Sequence, residues 1–233
     1  MEEQWPSQSE GTIRCVVLSD THGQHGFLSP LPYGDVLFHL GDVADKGNLT
    51  HIRSFTEWLS EQPHPHKILI GGNHDRDLRY PDKISLETEY RNHATLLRDE
   101  IVEIEGLRIL GVAWETIEQQ TEIPKHPLLQ ATTEDKHRPI HLLLTHMCSQ
   151  GMRELREELE IKVHLFGHFH KRRGVASLSK HCVELNCSTI PSMKPVVLDF
   201  EKGTGDLVMV HIPDPWSIEI TEETTLRKGE HFG

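Results

Sequence analysis

The sequence predicts an α/β fold in which a second β-sheet packs against the first. Three observations carry that expectation. Five short apolar runs are continuous rather than alternating, as in strands covered on both faces. Helical periodicity fills the interval between the second and third runs and between the fourth and fifth, and strand–helix–strand alternation builds an α/β sheet. The C-terminal third then adds strand after strand, more than one sheet requires.

Taken in order, residues 13–20 (IRCVVLSD) and 36–42 (VLFHLGD) read as the first two buried strands. Residues 49–62 follow as a helix, with Ile52, Phe55, Trp58 and Leu59 at helical spacing and Asn48 placed to cap it. The third strand is 67–73 (KILIGGN). Residues 100–112 (EIVEIEGLRILGV) form a hairpin turning at Glu105-Gly106. Residues 114–139 show no clear period and read as a long surface excursion, the kind of loop that is usually a functional lid or disordered. Strands at 140–146 (IHLLLTH) and 163–168 (VHLFGH) flank a helix that starts at Gly151, with Met152, Leu155 and Leu159 on one face. Further strands are expected at 183–188, 195–200 and 206–212. No repeat or linker divides the chain, so the organisation is an N-terminal extension (1–12), one domain (13–212) and a tail (213–233).

Composition narrows the function. With 36% hydrophobic and 26% charged residues among 233, this is a globular chain long enough to bury a core without disulfides. The formal charge of −12 argues against broad binding to nucleic acid or to an anionic membrane, unless a local positive centre overrides it. No apolar run approaches the ~20 residues of a membrane helix, and the acidic N-terminus does not resemble a signal peptide. Cys15, Cys148, Cys182 and Cys187 are irregularly spaced, which points to free thiols in a reducing cytoplasm. The 18 histidines outnumber all Phe, Trp and Tyr together.

The residues that end the strands are the informative ones. Asp20-Thr21-His22, Gly41-Asp42, Gly72-Asn73-His74-Asp75, Thr145-His146 and Gly167-His168-Phe169-His170 close the five runs in turn. In extended chain, residues i and i+2 point the same way, so Asp20 with His22 and His168 with His170 should converge. Open α/β sheets bind ligands at the carboxyl ends of their strands, so one rim is expected to collect all of these side chains. Each motif alone reads as a turn or a surface histidine; five in succession do not. Carboxylate and amide oxygens mixed with imidazoles suit Mn²⁺, Fe or Zn²⁺.

The ordered run DxH, GD, GNHD, TH and GHxH resembles the calcineurin-like metallophosphoesterase superfamily over residues of about 13 to 200. LPYGDVLFHLGD, FTEWLSEQPHPHKILIGGNHD and GLRILGVAW are similar, within it, to the metallophosphoesterase-domain-containing proteins. The resemblance implies two mixed β-sheets flanked by helices in a four-layer sandwich. It also implies two divalent transition-metal ions, one on Asp20, His22, Asp42 and His170, the second on Asp42, Asn73, His146 and His168. Such a pair, with its carboxylates and a bridging hydroxide, would leave the site at about +1 and so supply the missing positive centre. A hydroxide between ions ~3.5–4 Å apart would attack phosphorus in line.

By the same resemblance, His74 takes the place of the general acid that protonates the leaving oxygen. Asp45 reads either as the acid that orients His74 or as a plain turn residue. Lys46 stands where the protein phosphatases have Arg, and an ammonium is no substitute for a bidentate clamp on a monoester. The nearer relatives that the chain resembles act on phosphodiesters such as cyclic nucleotides, and with Lys46 this makes a small phosphodiester the expected substrate. A phosphomonoesterase or protein phosphatase is the alternative, and a catalytically weak scaffold of the same fold is a third reading. Trp114 either stacks on a base or packs the end of the hairpin, Cys148 either touches the pocket or is an inert thiol, and Lys171, Arg172 and Arg173 read as a solvated turn.

Overall fold

The computed structural model describes residues 5–75, 84–119, 138–179, 182–190 and 192–213. In chain order the elements are β1 (Thr12–Leu18), β2 (Val36–His39), α1 (Leu49–Glu61), β3 (His66–Leu69), α2 (Ile84–Arg91) and β4 (Thr95–Leu96). Then come β5 (Glu100–Ile104), β6 (Leu107–Gly111), α3 (Trp114–Gln119), β7 (Leu142–Leu144), α4 (Gln150–Glu158) and β8 (Val163–Phe166). The last four are β9 (Gly174–Ser179), β10 (Cys182–Asn186), β11 (Val196–Glu201) and β12 (Leu207–His211).

Two six-stranded sheets result, in the orders β12-β11-β1-β2-β3-β4 and β5-β6-β7-β8-β10-β9. In the first, β1 to β4 run parallel, β11 pairs antiparallel with β1, and β12 antiparallel with β11. In the second sheet β6, β7, β8 and β10 run parallel, with β5 and β9 antiparallel at its ends. Alternation along β1 shows why its apolar run is continuous. Cys15 and Val17 face the core between the sheets, where they meet Phe38, Leu144, Leu165 and Leu198. Val16 and Leu18 face outward, under Ile52, Phe55 and Leu59 of α1. The outer face of the second sheet is covered in the same way, Leu110 and Leu143 lying with Ile117 of α3 and Met152 and Leu155 of α4. The outcome is four layers: helices, sheet, sheet, helices. Among the described residues no helix is long and apolar enough to cross a membrane.

Several local expectations hold. Asn48 accepts from the backbone N–H of Thr50 and His51 and so caps α1. Glu105 and Gly106 both have positive φ, the primed-turn geometry of a tight hairpin, and Ile104 pairs with Leu107 across it.

Others are corrected. The five site-bearing strands do not share one sheet: β1, β2 and β3 belong to the first, β7 and β8 to the second. Each also ends two to four residues sooner than its apolar run suggests, at residues 18, 39, 69, 144 and 166. The motif residues lie beyond, and Asp20, His22, Asp42 and His168 are all in the left-handed region, with φ between 44° and 67°. Extended-chain alternation is therefore not what pairs Asp20 with His22 or His168 with His170. Residues 114–119 are not excursion but helix, with Trp114 and Ile117 buried, too short for its period to stand out. The rest of the supposed excursion, 120–137, and the tail from 214 lie outside the described residues. Strands β4 and β9 and helix α2 carry no clear sequence signal.

Candidate metal centre

The loops after β1, β2, β3, β7 and β8 meet where the carboxyl ends of the two sheets adjoin. Three groups there present ligand atoms within 4.8 Å of one another: Asp20, His22 and His170; His22, Asp42 and His74; and Asp42, His146 and His168. Asp42 belongs to two of the three. Asn73 joins the last, its Oδ1 lying 2.9 Å from His146 Nε2 and 3.0 Å from His168 Nδ1. All nine sequence-predicted site residues are thus brought to one place, Asp45 through its contact with His74.

Backbone packing explains why glycine precedes the ligands. A Cβ on Gly72 would lie 2.3 Å from Asp42 Oδ1, and one on Gly167 would lie 2.5 Å from Asp20 Oδ2. The two carboxylates rest directly on neighbouring backbone, which no other residue allows. Asp20 accepts from the backbone N–H of His168 at 3.0 Å, and Asp42 Oδ1 accepts from that of His74 at 2.8 Å.

The sequence reading missed Asp75. Its buried carboxylate accepts the backbone N–H of Asp42 at 2.7 Å, Gly72 at 2.9 Å and Ala44 at 3.2 Å, tying the β2 loop to the β3 loop. Burial and the charge of Asp42 push its pKa up to about 7 against the pull of those N–H groups. The only prior signal was its position at the end of Gly72-Asn73-His74-Asp75. Trp114 settles on the packing side: its ring centroid lies 5.5 Å from that of His146 and 5.8 Å from that of His168. Arg173 is also structural, donating to the carbonyls of Ser188 and Pro195.

The electrostatics match a cation site. Burial would raise Asp20, but hydrogen bonding to His170 and the nearby His146 outweigh it, and its carboxyl stays well below the usual range. Asp42 is likewise held low against its burial, chiefly by His146. Burial depresses His22 and His168, keeping them neutral as ligands must be. His146 is buried too, yet Asp42 and Asp20 hold its pKa up to about 9.

The donor atoms themselves test the fit. His146 donates its Nδ1–H to the carbonyl of Leu40 at 2.8 Å, which leaves Nε2 as a lone pair in the neutral ring. That lone pair faces Asn73 Oδ1 at 2.9 Å and Asp42 Oδ2 at 3.3 Å, so acceptor meets acceptor. A proton on Nε2, which the raised pKa of His146 favours, or a metal ion in its place resolves the conflict, and a histidine oriented by a backbone carbonyl is the usual metal-ligand arrangement. The residues present therefore fit divalent metal ions. Beside them, His74 Nδ1 lies 2.9 Å from Asp45 Oδ1, at the more exposed side of the cluster.

A double sheet with two Asp–His groups sharing a carboxylate at its rim is the framework of a metal-dependent phosphoesterase. The chain belongs to the calcineurin-like phosphoesterase family, whose profile matches residues 13–172. Similar curated proteins include metallophosphoesterase domain-containing protein 1 of Homo sapiens, 28% identical over 81% of this chain and 71% of that protein. A UPF0046 protein of Caenorhabditis elegans is 27% identical over 72% of each. Among solved structures, a protein of Thermus thermophilus has a TM-score of 0.58 at 13% identity, covering 84% of this chain and 97% of that one, a likeness of fold alone.

Proposed function

We propose that the chain hydrolyses small phosphodiesters, cyclic nucleotides among them, at a centre of two divalent cations such as Mn²⁺. Asp20, His22, Asp42 and His170 would hold one ion, and Asp42, Asn73, His146 and His168 the other. The observation that supports this reading is Asp42, which shares one group of ligand atoms with His22 and His74 and another with His146 and His168. Bound ions would supply charge to activate water and to stabilise the phosphoryl oxygens.

The chain's own residues do the rest. His74 lies within ligand range of His22 and Asp42, but its Nδ1 is engaged by Asp45. A neutral ring that donates Nδ1–H to the carboxylate cannot also donate from Nε2; the imidazolium donates from both. Asp45 anchors the ring through Nδ1 and leaves Nε2 to face the departing oxygen, the position of a general acid. Trp114 packs against both His146 and His168, at 73° to the first ring and 37° to the second, and so restricts their rotation. Lys46, on the exposed turn after Asp45, offers one point charge where a dianionic monoester would need a fork.

The test is a side-by-side panel on Mn²⁺-loaded protein: bis-p-nitrophenyl phosphate and a cyclic nucleotide against p-nitrophenyl phosphate and a phosphoserine peptide. The diesters should have the higher kcat/KM, and Lys46→Arg should narrow the gap. A monoester preference of tenfold or more, ~1.4 kcal/mol in transition-state binding, would reverse the assignment.

A further inference from the structure

A second group of ligand-type side chains lies outside the metal centre, beneath α4. His164 on β8 and Glu184 on β10 are register partners on the outer face of the second sheet, and Cys148 reaches them from the loop between β7 and α4. One ligand atom from each falls within 4.8 Å of the other two. Cys148 Sγ and His164 Nδ1 each lie 3.9 Å from Glu184 Oε1.

Hydrogen bonding fixes which nitrogen of His164 faces this group. The Thr145 hydroxyl donates to the carbonyl of Met147 at 3.0 Å, so it accepts from His164 Nε2–H at 2.8 Å. In the neutral ring Nδ1 then carries the lone pair. That nitrogen is fully buried, has no hydrogen-bond partner, and faces a carboxylate that has no proton to offer it. A proton on Nδ1 or a bound cation would bridge the two.

We propose that Cys148, His164 and Glu184 form a separate site for one thiophilic divalent cation of the Zn²⁺ type. Sulfur, imidazole nitrogen and carboxylate oxygen are a zinc ligand set, and bonds of ~2.0–2.3 Å place tetrahedral ligands about 3.3–3.8 Å apart. The two distances to Glu184 Oε1, 3.9 Å each, lie just above that range, and the third is within 4.8 Å, so the side chains would close in on the ion as it binds. Cys148 gives up its proton to solvent on binding. Arg153 and Arg156 of α4, whose Nε atoms lie 3.5 and 3.7 Å from Glu184 Oε1, would offset the added negative charge of the thiolate. The ligands link β8, β10 and the loop that carries His146, so the ion would brace the support of the metal centre without entering it.

Cobalt reports this site selectively, because no cysteine belongs to the metal centre. Anaerobic Co²⁺ titration of the full chain should produce a near-ultraviolet thiolate-to-cobalt band that excess Zn²⁺ abolishes. The band should be absent in Cys148→Ser and present in Cys182→Ser and in Asp42→Ala. Cobalt uptake by the unaltered protein without a thiolate band, or a band that survives Cys148→Ser, would overturn the proposal. Should the serine variant not fold, alkylation of Cys148 in the unaltered chain, followed by peptide mass spectrometry, replaces it. Zn²⁺ should slow that alkylation at least tenfold, and an unchanged rate would overturn the proposal equally.

Discussion

Replacing Gly72 or Gly167 by alanine should disable different halves of the metal centre. Neither glycine has positive φ, so the backbone accepts alanine and the new methyl acts only by the space it takes. At Gly72 the Cβ would lie 2.3 Å from Asp42 Oδ1 and 2.5 Å from Asp42 N. At Gly167 it would lie 2.0 Å from Ser19 Oγ and 2.5 Å from Asp20 Oδ2. Ordinary contact begins near 3.4 Å. Each carboxylate must therefore retreat by about 1 Å, several times the ~0.2 Å tolerance of a metal–ligand bond. Gly72→Ala, acting on the shared Asp42, should lose both ions; Gly167→Ala, acting on Asp20, should lose chiefly one. Affinity should fall by at least the ~10–100-fold that follows from disturbing a ligand's support. Mn²⁺ loading, desalting and elemental analysis give the stoichiometry, calorimetric titration gives the affinity, and circular dichroism checks the fold. Gly26→Ala is the control, since nothing lies within 4 Å of its Cβ. If Gly72→Ala keeps two ions at unaltered affinity, the reasoning is wrong.

Asp42→Ala should abolish binding of both ions and all phosphoesterase activity, and chelator should do the same reversibly to the unaltered enzyme; persistent activity in either case refutes the metal assignment. His74→Ala should keep its metal and lose roughly 10²–10⁴-fold in kcat on poor leaving groups but less on p-nitrophenyl esters; an equal loss on both points to phosphate positioning instead. Asp45→Asn should reproduce a smaller part of that loss with metal content unchanged, because the ring of His74 loses its carboxylate anchor at Nδ1; an unchanged kcat removes Asp45 from the mechanism. His39 is fully buried against Thr21 and burial pushes its pKa down to about 3, from 6.5. Below pH ~6.5 the unfolded chain takes up a proton that the native chain refuses, so stability should fall with pH by up to ~1.4 kcal/mol per unit between about 6.5 and 3. His39→Gln should flatten the thermal midpoint across that window, and an unchanged slope would show that His39 does not contribute.

Much of the site was legible because its chemistry sits at chain positions that apolar runs delimit. Asp20, Asp42, Asn73, His146 and His168 each follow a strand by two to four residues. What brings them together was not legible. The sequence reading used the two-residue repeat of extended chain, whereas the structure turns Asp20, His22, Asp42 and His168 inward through left-handed backbone. Such a conformation depends on long-range support, as when Asp20 accepts from the N–H of His168 or Asp75 gathers three N–H groups of two loops. No local pattern encodes those partners. The division of five strands between two sheets was hidden for a similar reason. A strand buried on both faces looks alike whether a helix or a second sheet covers it. Short elements such as β4, with two residues, and α3, with six, offer too little sequence for a period to emerge.

The order of strands in the first sheet also governs when the chain can fold. β1, which leads to Asp20, takes its antiparallel neighbour from β11, and Val17 pairs with Val196 almost at the other end of the described chain. A nascent chain that has reached residue 172 already carries all seven ligand-type side chains. Yet β1 still lies bare along one edge, and Val183, Leu185, Val196, Leu198, Phe200 and Val210 are missing from the core between the sheets. Loops near β1 and β2 are then held by half a sandwich. Metal capture should accordingly come late in synthesis, and a fragment cut at the end of the family match should be a sticky, ion-poor species rather than a miniature enzyme. Pulse proteolysis of nested C-terminal truncations would reveal one abrupt gain of resistance once the chain extends through Ile212.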